Sequence, residues 1–288
     1  QADDSMMTLN KRGKLRGMKH KPLIVFPVEA PVHYNPFDLY ATLEESLAAS
    51  GENLQDGDVL AVSSKYTAIS EGRVVALSDI NVTPEAEAIA ARYGMNAHMV
   101  QLVLQEADHV FGGITGFLLT YKDGIVSPNA GIDRSNIPNG YAVLFPKEPY
   151  RSAEALRLEV RRRFNVEIGV ILTDSWLMPG RRGTAGVALA TAGFKPLQDE
   201  RGKDDLFGNP MQVTLRGTAD TICSAAQLVM GERDEATPFA IVRNSGVELT
   251  DEPLSEADVA IPWEQCIYVQ SLTSGLLEKA SSTGAEIS

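Results

Sequence analysis

A fold that mixes helices and strands along one chain follows from three features of the 288-residue sequence. Apolar runs such as KPLIVFPV (21–28) and VEIGVIL (166–172) have the length and composition of largely buried strands. Between them, PFDLYATLEESLAAS (36–50) repeats leucine every four residues, at Leu39, Leu43 and Leu47, which is helical spacing. FLLTYKDGIV (117–126) centres on Lys122-Asp123-Gly124 and predicts an antiparallel hairpin.

The elements follow in order. Lys21 to Val28 reads as an opening strand, and the leucine-spaced helix after it runs to Gly51. Asp56-Gly57-Asp58 turns the chain into VLAVSSKYTAI (59–69), read as one buried strand that Glu71-Gly72 interrupts. Thr83-Pro84-Glu85 joins a capping residue, a first-turn proline and an early acid, and predicts a helix to about Tyr93. Val100 to Ala107 reads as another helix before the hairpin.

The hairpin delivers the chain to NAGIDRSN (129–136), where turn formers and polar side chains replace strand sequence. YAVLF (141–145) is a strand, and Ser152-Ala153-Glu154 opens a helix with Leu156, Val160 and Phe164 on one face. VEIGVIL ends in Thr173-Asp174-Ser175, after which LMPGRRG (177–183) is a loop and VALATAGF (187–194) a strand. The charged loop QDERGKDDLFGNP (198–210), a helix ending near Met230, the strand FAIVR (239–243) and a terminal helix near Leu272 to Lys279 complete the chain. No repeat and no linker divides it, so residues 1–20 are read as a disordered tail and 21–288 as one region without an assigned internal boundary.

Composition narrows the function. A 44% hydrophobic, 22% charged chain is ordinary for a globular protein, and no apolar run approaches the roughly 18 residues that span a bilayer. The net charge of −12 opposes a nucleic-acid partner. The basic runs Lys11 to Lys21 and Arg161-Arg162-Arg163 read as a solvated tail and helix face. Cys223 and Cys266 lack CxxC spacing, which excludes a disulfide framework and fits the reducing cytoplasm. The P-loop, dinucleotide GxGxxG, HExxH and GxSxG patterns are all missing.

Four places could carry chemistry. Asp133 and Asp174 each follow apolar sequence, in segments read as loops, with neutral oxygen donors beside them: Ser135 and Asn136, and Thr173 and Ser175. Such a set suits Mg²⁺ or Mn²⁺, and it equally suits two turn aspartates bonded to their own backbone. Arg181 and Arg182, among Gly180, Gly183 and Gly186, offer forks for a phosphate or form a solvated loop. Lys65, read within a strand beside Ser63, Ser64 and Thr67, is either a site lysine or an edge guard. Glu232, at the end of a helix in Met230-Gly231-Glu232, gains meaning only in company.

Taken in order, IVFPVE, GDVLAVSSK, SEGRVV, NAGIDRSN, IGVILTDS, RRGTAGVALATAGFKPL, RGKDDLFG, ADTICSAAQLVMGE and PFAIVRN make the chain resemble the coenzyme F420-0:L-glutamate ligases, the gamma-glutamyl ligases, from about Ile24 to Asn244. The resemblance implies an α+β fold with mixed, largely antiparallel sheets and packed helices, and an intimate homodimer. It implies a GTP-dependent ligase: phosphoryl transfer to a carboxylate of the F420 precursor gives an acyl phosphate, which the amine of L-glutamate attacks to leave an amide. It places divalent metal, in two sites, on Asp133, Asp174, Ser175 and Glu232. Nucleotide contacts fall on Ser64, Lys65, Asn136, Met230, Gly231 and Glu232. Arg181 and Arg182 are our own candidates for neutralising developing charge.

The chain also departs from the family pattern. Ile69 stands where a second nucleotide lysine is expected, Met178 where an arginine is, Ala190 where a glycine is, and VHYNPFDL (32–39) replaces a run like PEIKPGDDL. A ligase joining a different amino acid and carboxylate, and a non-catalytic nucleotide-binding relative, therefore stand beside the leading reading.

Overall fold

The computed structural model describes residues 21–273. The tail expected at 1–20 and most of the helix expected near Leu272 to Lys279 lie outside the described residues. In chain order the elements are β1 (Ile24–Val28), α1 (Leu39–Ser50), β2 (Val59–Ser63), α2 (Ser64–Ser70), β3 (Val74–Ala76), α3 (Pro84–Tyr93) and α4 (Ala97–Glu106). Next come β4 (His109–Ile114), β5 (Phe117–Lys122), β6 (Ile125–Pro128), β7 (Tyr141–Val143), α5 (Pro149–Phe164), β8 (Gly169–Leu177) and β9 (Thr184–Ala192). β10 (Leu197–Asp199), β11 (Leu215–Gly217), α6 (Thr218–Met230), β12 (Phe239–Arg243) and α7 (Ile267–Thr273) follow.

Five strands form the central sheet in the order β1-β12-β2-β8-β9, and only β2 and β8 run parallel within it. The class is α+β with largely antiparallel sheets, as expected. Strand side chains alternate between two faces. Leu60, Val62, Val170 and Leu172 pack with α1 and α5, through Leu43, Leu47, Leu156 and Val160. Val59, Ala61 and Ile171 face the other way, onto Ile222, Cys223 and Ala226 of α6. A second core joins α3 and α4 to the three-stranded sheet β4-β5-β6 through Ala86, Val100, Val103 and Leu118.

Local signals explain most boundaries. Thr83 caps α3 by accepting the Ala86 N–H, Pro84 opens the helix, and Gly94 closes it in the left-handed region. The Lys122-Asp123-Gly124 turn joins β5 and β6 as expected, with positive φ at Asp123 and Gly124. Glu256 and Ala260 lie against Gly124 of this turn, and Trp263 stacks on His109 of the adjacent β4 with ring centroids 5.7 Å apart and planes 4° apart.

Two readings are corrected. The strand expected over 59–69 ends at Ser63, and Ser64 to Ser70 form α2. The Ser63 side chain accepts the Tyr66 N–H and its carbonyl accepts the Thr67 hydroxyl, so a helix cap sits inside an apolar run that periodicity alone reads as strand. Asp174 and Ser175 lie within β8 rather than in a loop, because β8 continues to Leu177 against Val187 to Thr184 of β9.

At the far end of the sheet, Arg243 clamps Asp58, which is 1% exposed. Its Nε and Nη2 donate to the two carboxylate oxygens at 3.0 and 2.8 Å, and Nη2 also reaches the Asn53 carbonyl. Asp58→Ala leaves that guanidinium without its counter-charge. The variant is expected to lose about 2–4 kcal/mol of stability, read as a lower urea midpoint at unchanged slope.

Candidate active site

The parallel pairing of β2 with β8 builds the floor of the site. Ser63 pairs with Thr173, so the next residues, Ser64 and Asp174, meet at the same sheet end. There the Ser64 hydroxyl donates to Asp174 Oδ2 at 2.6 Å, and the Ser175 N–H donates to Oδ1 at 2.7 Å. A bulge between β8 and β9 at Leu172–Thr173 shifts the register just before these residues, and so re-aims the side chains after it.

Asp133 arrives from the second core. Its backbone exchanges two hydrogen bonds with Val143 of β7, at 3.0 and 2.8 Å, which fixes the direction of its side chain. Asn129, Ala130 and Gly131 just before it all have positive φ, 52°, 53° and 70°. Side-chain bonds hold that turn: Asn129 Oδ1 accepts the Leu118 N–H and the Thr120 hydroxyl accepts the Ala130 N–H. A backbone strained in this way persists only where its surroundings determine it.

Lys65, in the first turn of α2, spans the gap. Its ammonium pairs with Asp133 Oδ2 and donates to the Ser135 Oγ at 2.8 Å and the Ser135 carbonyl at 3.1 Å. Adjacent residues of α2 thus reach both aspartates, Ser64 to one and Lys65 to the other.

The third acid comes from the end of α6. Glu232 accepts the hydroxyls of Ser175 and Thr184, each at 3.1 Å. Gly231 has φ 73° and ψ −175°, a backbone conformation that glycine alone adopts without strain, so glycine suits this exit from the helix. Asn136 Nδ2 donates to the Arg233 carbonyl at 2.7 Å and ties NAGIDRSN to this segment.

These groups line one cleft of about 830 Å³, together with aromatic walls from Tyr34, Tyr66, Phe117 and Trp176. Of the expected site residues, Lys65, Asp133, Asn136, Asp174, Ser175, Met230, Gly231 and Glu232 line it. Ser64, 2% exposed, stands behind Asp174 and orients it. Arg181 and Arg182 lie exposed on the β8–β9 loop and do not line the cleft. Ile69 does, nearly buried beside Ala68 and Val143. Thr184, the second hydroxyl on Glu232, has no motif that would single it out before the β8–β9 pairing is known.

The two aspartates titrate in opposite directions. Burial raises the Asp174 carboxyl to about 6; the hydrogen bonds from Ser64 and Ser175 only partly offset this, and the charge of Asp133 adds to it. Burial also works against ionisation of Asp133, but the Lys65 ammonium and the Ser135 hydrogen bonds outweigh it and hold the carboxyl below its ordinary value.

Among the described residues, no three His, Cys, Asp or Glu side chains are gathered closely enough to hold an ion by themselves. The donors gathered around Asp133, Asp174 and Glu232 are nevertheless oxygens, and one cation, the Lys65 ammonium, is already caged by three oxygens. That donor set fits Mg²⁺ or Mn²⁺, ions that complete their shells with water and substrate phosphates.

Fold and cleft together define an α+β protein with an oxygen-rich, acid-lined site for a small molecule. The chain belongs to the F420-0:gamma-glutamyl ligase family, whose model matches residues 27–244. The coenzyme F420:L-glutamate ligase of Methanopyrus kandleri is 39% identical over 208 residues, 72% of this chain and 82% of that protein. The ligase of the same name from Archaeoglobus fulgidus is 38% identical over 224 residues, 77% and 88% of the two chains, and that from Haloarcula marismortui 37% over 226, 76% and 86%. The named relatives are ligases, and the family resemblance read from the motifs holds.

Proposed function

We propose that this protein is an amide ligase that adds L-glutamate to the F420 precursor, with GTP and Mg²⁺ or Mn²⁺, through an acyl phosphate. The reaction is carried by relatives named for glutamate ligation. The nucleotide and metal roles rest on one observation: Asp133, Asp174, Glu232 and Lys65 come from four separate segments into a single cleft.

Bound there, a divalent ion would offset the repulsion between triphosphate and carboxylate and polarise the transferred phosphoryl group. Asp133, Asp174, Ser175 and Glu232 are the residues that would hold it. Ser64 orients Asp174, and Thr184 orients Glu232. Asn136, Met230 and Gly231 form the nucleotide side, with Lys65 the lysine nearest the acids. Arg181 and Arg182 reach the chemistry only if the β8–β9 loop folds toward the cleft. The working form is assigned as a cytoplasmic homodimer, a proposal that rests on the resemblance; none of the described helices is long and apolar enough to cross a membrane.

Phosphate release measured with purified protein tests this. Release is expected only when GTP, metal, L-glutamate and the F420 precursor are all present. Release with another amino acid or carboxylate instead would support the alternative ligase. The buried Ile69, which removes a cation from the cleft, favours a second reading, a silent nucleotide-binding relative; that reading predicts GTP binding with no release under any combination.

A further inference from the structure

We infer that Lys65 is the resident cation of the Asp133 site, and that a divalent ion entering there releases its ammonium to the nucleotide phosphates, so that metal and nucleotide bind cooperatively. The inference rests on the nucleotide- and metal-dependent reading above and assigns that site its coupling.

The geometry is that of an occupied cation cage. The Lys65 Nζ touches Asp133 Oδ2, Ser135 Oγ at 2.8 Å and the Ser135 carbonyl at 3.1 Å, all hard oxygens. Ser135 in turn donates its N–H to Asp133 Oδ1 at 2.7 Å and its hydroxyl to Oδ2 at 3.0 Å, which holds the carboxylate open toward the cleft. One such cage takes one cation, because a second positive charge a few ångströms away is strongly repelled where water is partly excluded. An ion binding Asp133 must therefore push the ammonium out.

The displaced group remains in the cleft. Lys65 has a four-carbon stem rooted in the first turn of α2, whose backbone the Ser63 cap fixes, so the ammonium can swing while its root stays. With Ile69 apolar, Lys65 is the one lysine lining the cleft among the described residues. It serves two anions in turn: the Asp133 carboxylate when the site lacks metal, and phosphate when metal is bound. By linkage, a metal that frees Lys65 strengthens nucleotide binding, and nucleotide strengthens metal binding by the same factor.

The test compares full-length wild type with Lys65→Met and Lys65→Arg, following Mn²⁺ by the electron paramagnetic resonance of the free ion and GTP by calorimetry. Without an ammonium to displace, Lys65→Met is expected to bind Mn²⁺ alone roughly tenfold more tightly. In the same variant, the factor by which Mn²⁺ tightens GTP should shrink by a similar amount. Lys65→Arg keeps a cation in the cage and should retain the weaker wild-type Mn²⁺ affinity. Equal or weaker Mn²⁺ binding by Lys65→Met, or equal tightening in both variants, overturns the exchange while leaving the ligase reading intact. A wild type that binds neither Mn²⁺ nor GTP overturns both.

Discussion

Asp174→Asn is expected to abolish turnover while making the metal-free protein more stable. On the function proposed above, the loss in kcat/KM should be at least about a thousandfold, because the variant removes a carboxylate that would hold the divalent ion beside the reacting phosphates. The gain in stability comes from the environment of the same carboxyl. Burial lifts it to about 6 in the folded chain, above its ordinary value of 3.8.

A carboxyl that titrates higher when folded favours its neutral form. The stability tied to that form is complete below about pH 4 and is lost as the pH rises to about 6. At neutral pH the ionised group costs roughly 1–2 kcal/mol once its partial exposure is counted. Asparagine is neutral at every pH; its Oδ1 can keep the Ser175 N–H while its Nδ2 donates to the Ser64 hydroxyl oxygen, which turns to accept. In chelator-treated buffer, the Tm of Asp174→Asn should therefore rise above that of wild type between pH 4 and 6. Above pH 6 the gap should stay constant at a few degrees. Equal melting curves at pH 7 would remove the claim that burial destabilises this charge.

Gly131→Ala carries the largest expected cost in stability. Gly131 has φ 70°, and a β-carbon there would fall 1.9 to 2.3 Å from ring carbons of Phe145, a residue 4% exposed in the main core. The ring is packed in the main core, so making room for the β-carbon means displacing its neighbours. Left-handed strain and overpacking together are expected to remove about 3–5 kcal/mol. Asp133 lies two residues on, so any chain that still folds should show displaced acid geometry and weakened Mn²⁺ binding. Circular dichroism melts and Mn²⁺ titration separate the two effects; a variant as stable as wild type would show that the turn is not wedged against Phe145.

The residues that the sequence made legible are those whose signals are local. Thr83 and Pro84 announced α3 because a cap and a first-turn proline act within one helical turn. Lys122-Asp123-Gly124 announced its hairpin for the same reason. Asp133 and Asp174 could be picked out as acids with oxygen neighbours, and both line the cleft.

What was hidden depends on distance along the chain. The ion pair of Lys65 with Asp133 and the hydroxyl of Thr184 on Glu232 are set by strand register and by the angle at which a turn leaves the second core. The end of β2 was hidden by ambiguity of another kind: Tyr66, Ala68 and Ile69 are buried in helix or strand alike, and only the Ser63 cap decides. Arginines among glycines identify a loop but not its direction, which is why Arg181 and Arg182 stand apart from the acids they were expected to join.

The parallel pairing of β2 with β8 also sets when the site can come into being during folding. Ser64 and Asp174 are 110 residues apart, and the segment between them holds the second core with Asp133. Closing so long a loop is entropically slow, so this pairing belongs among the late events of folding. The hairpin and α3 can form on an incomplete chain, but the acids meet only once β8 has been made and docked. Ligand binding at this cleft is thus a signature of a finished molecule, and a partly folded chain should display helix and hairpin with no affinity for its substrates.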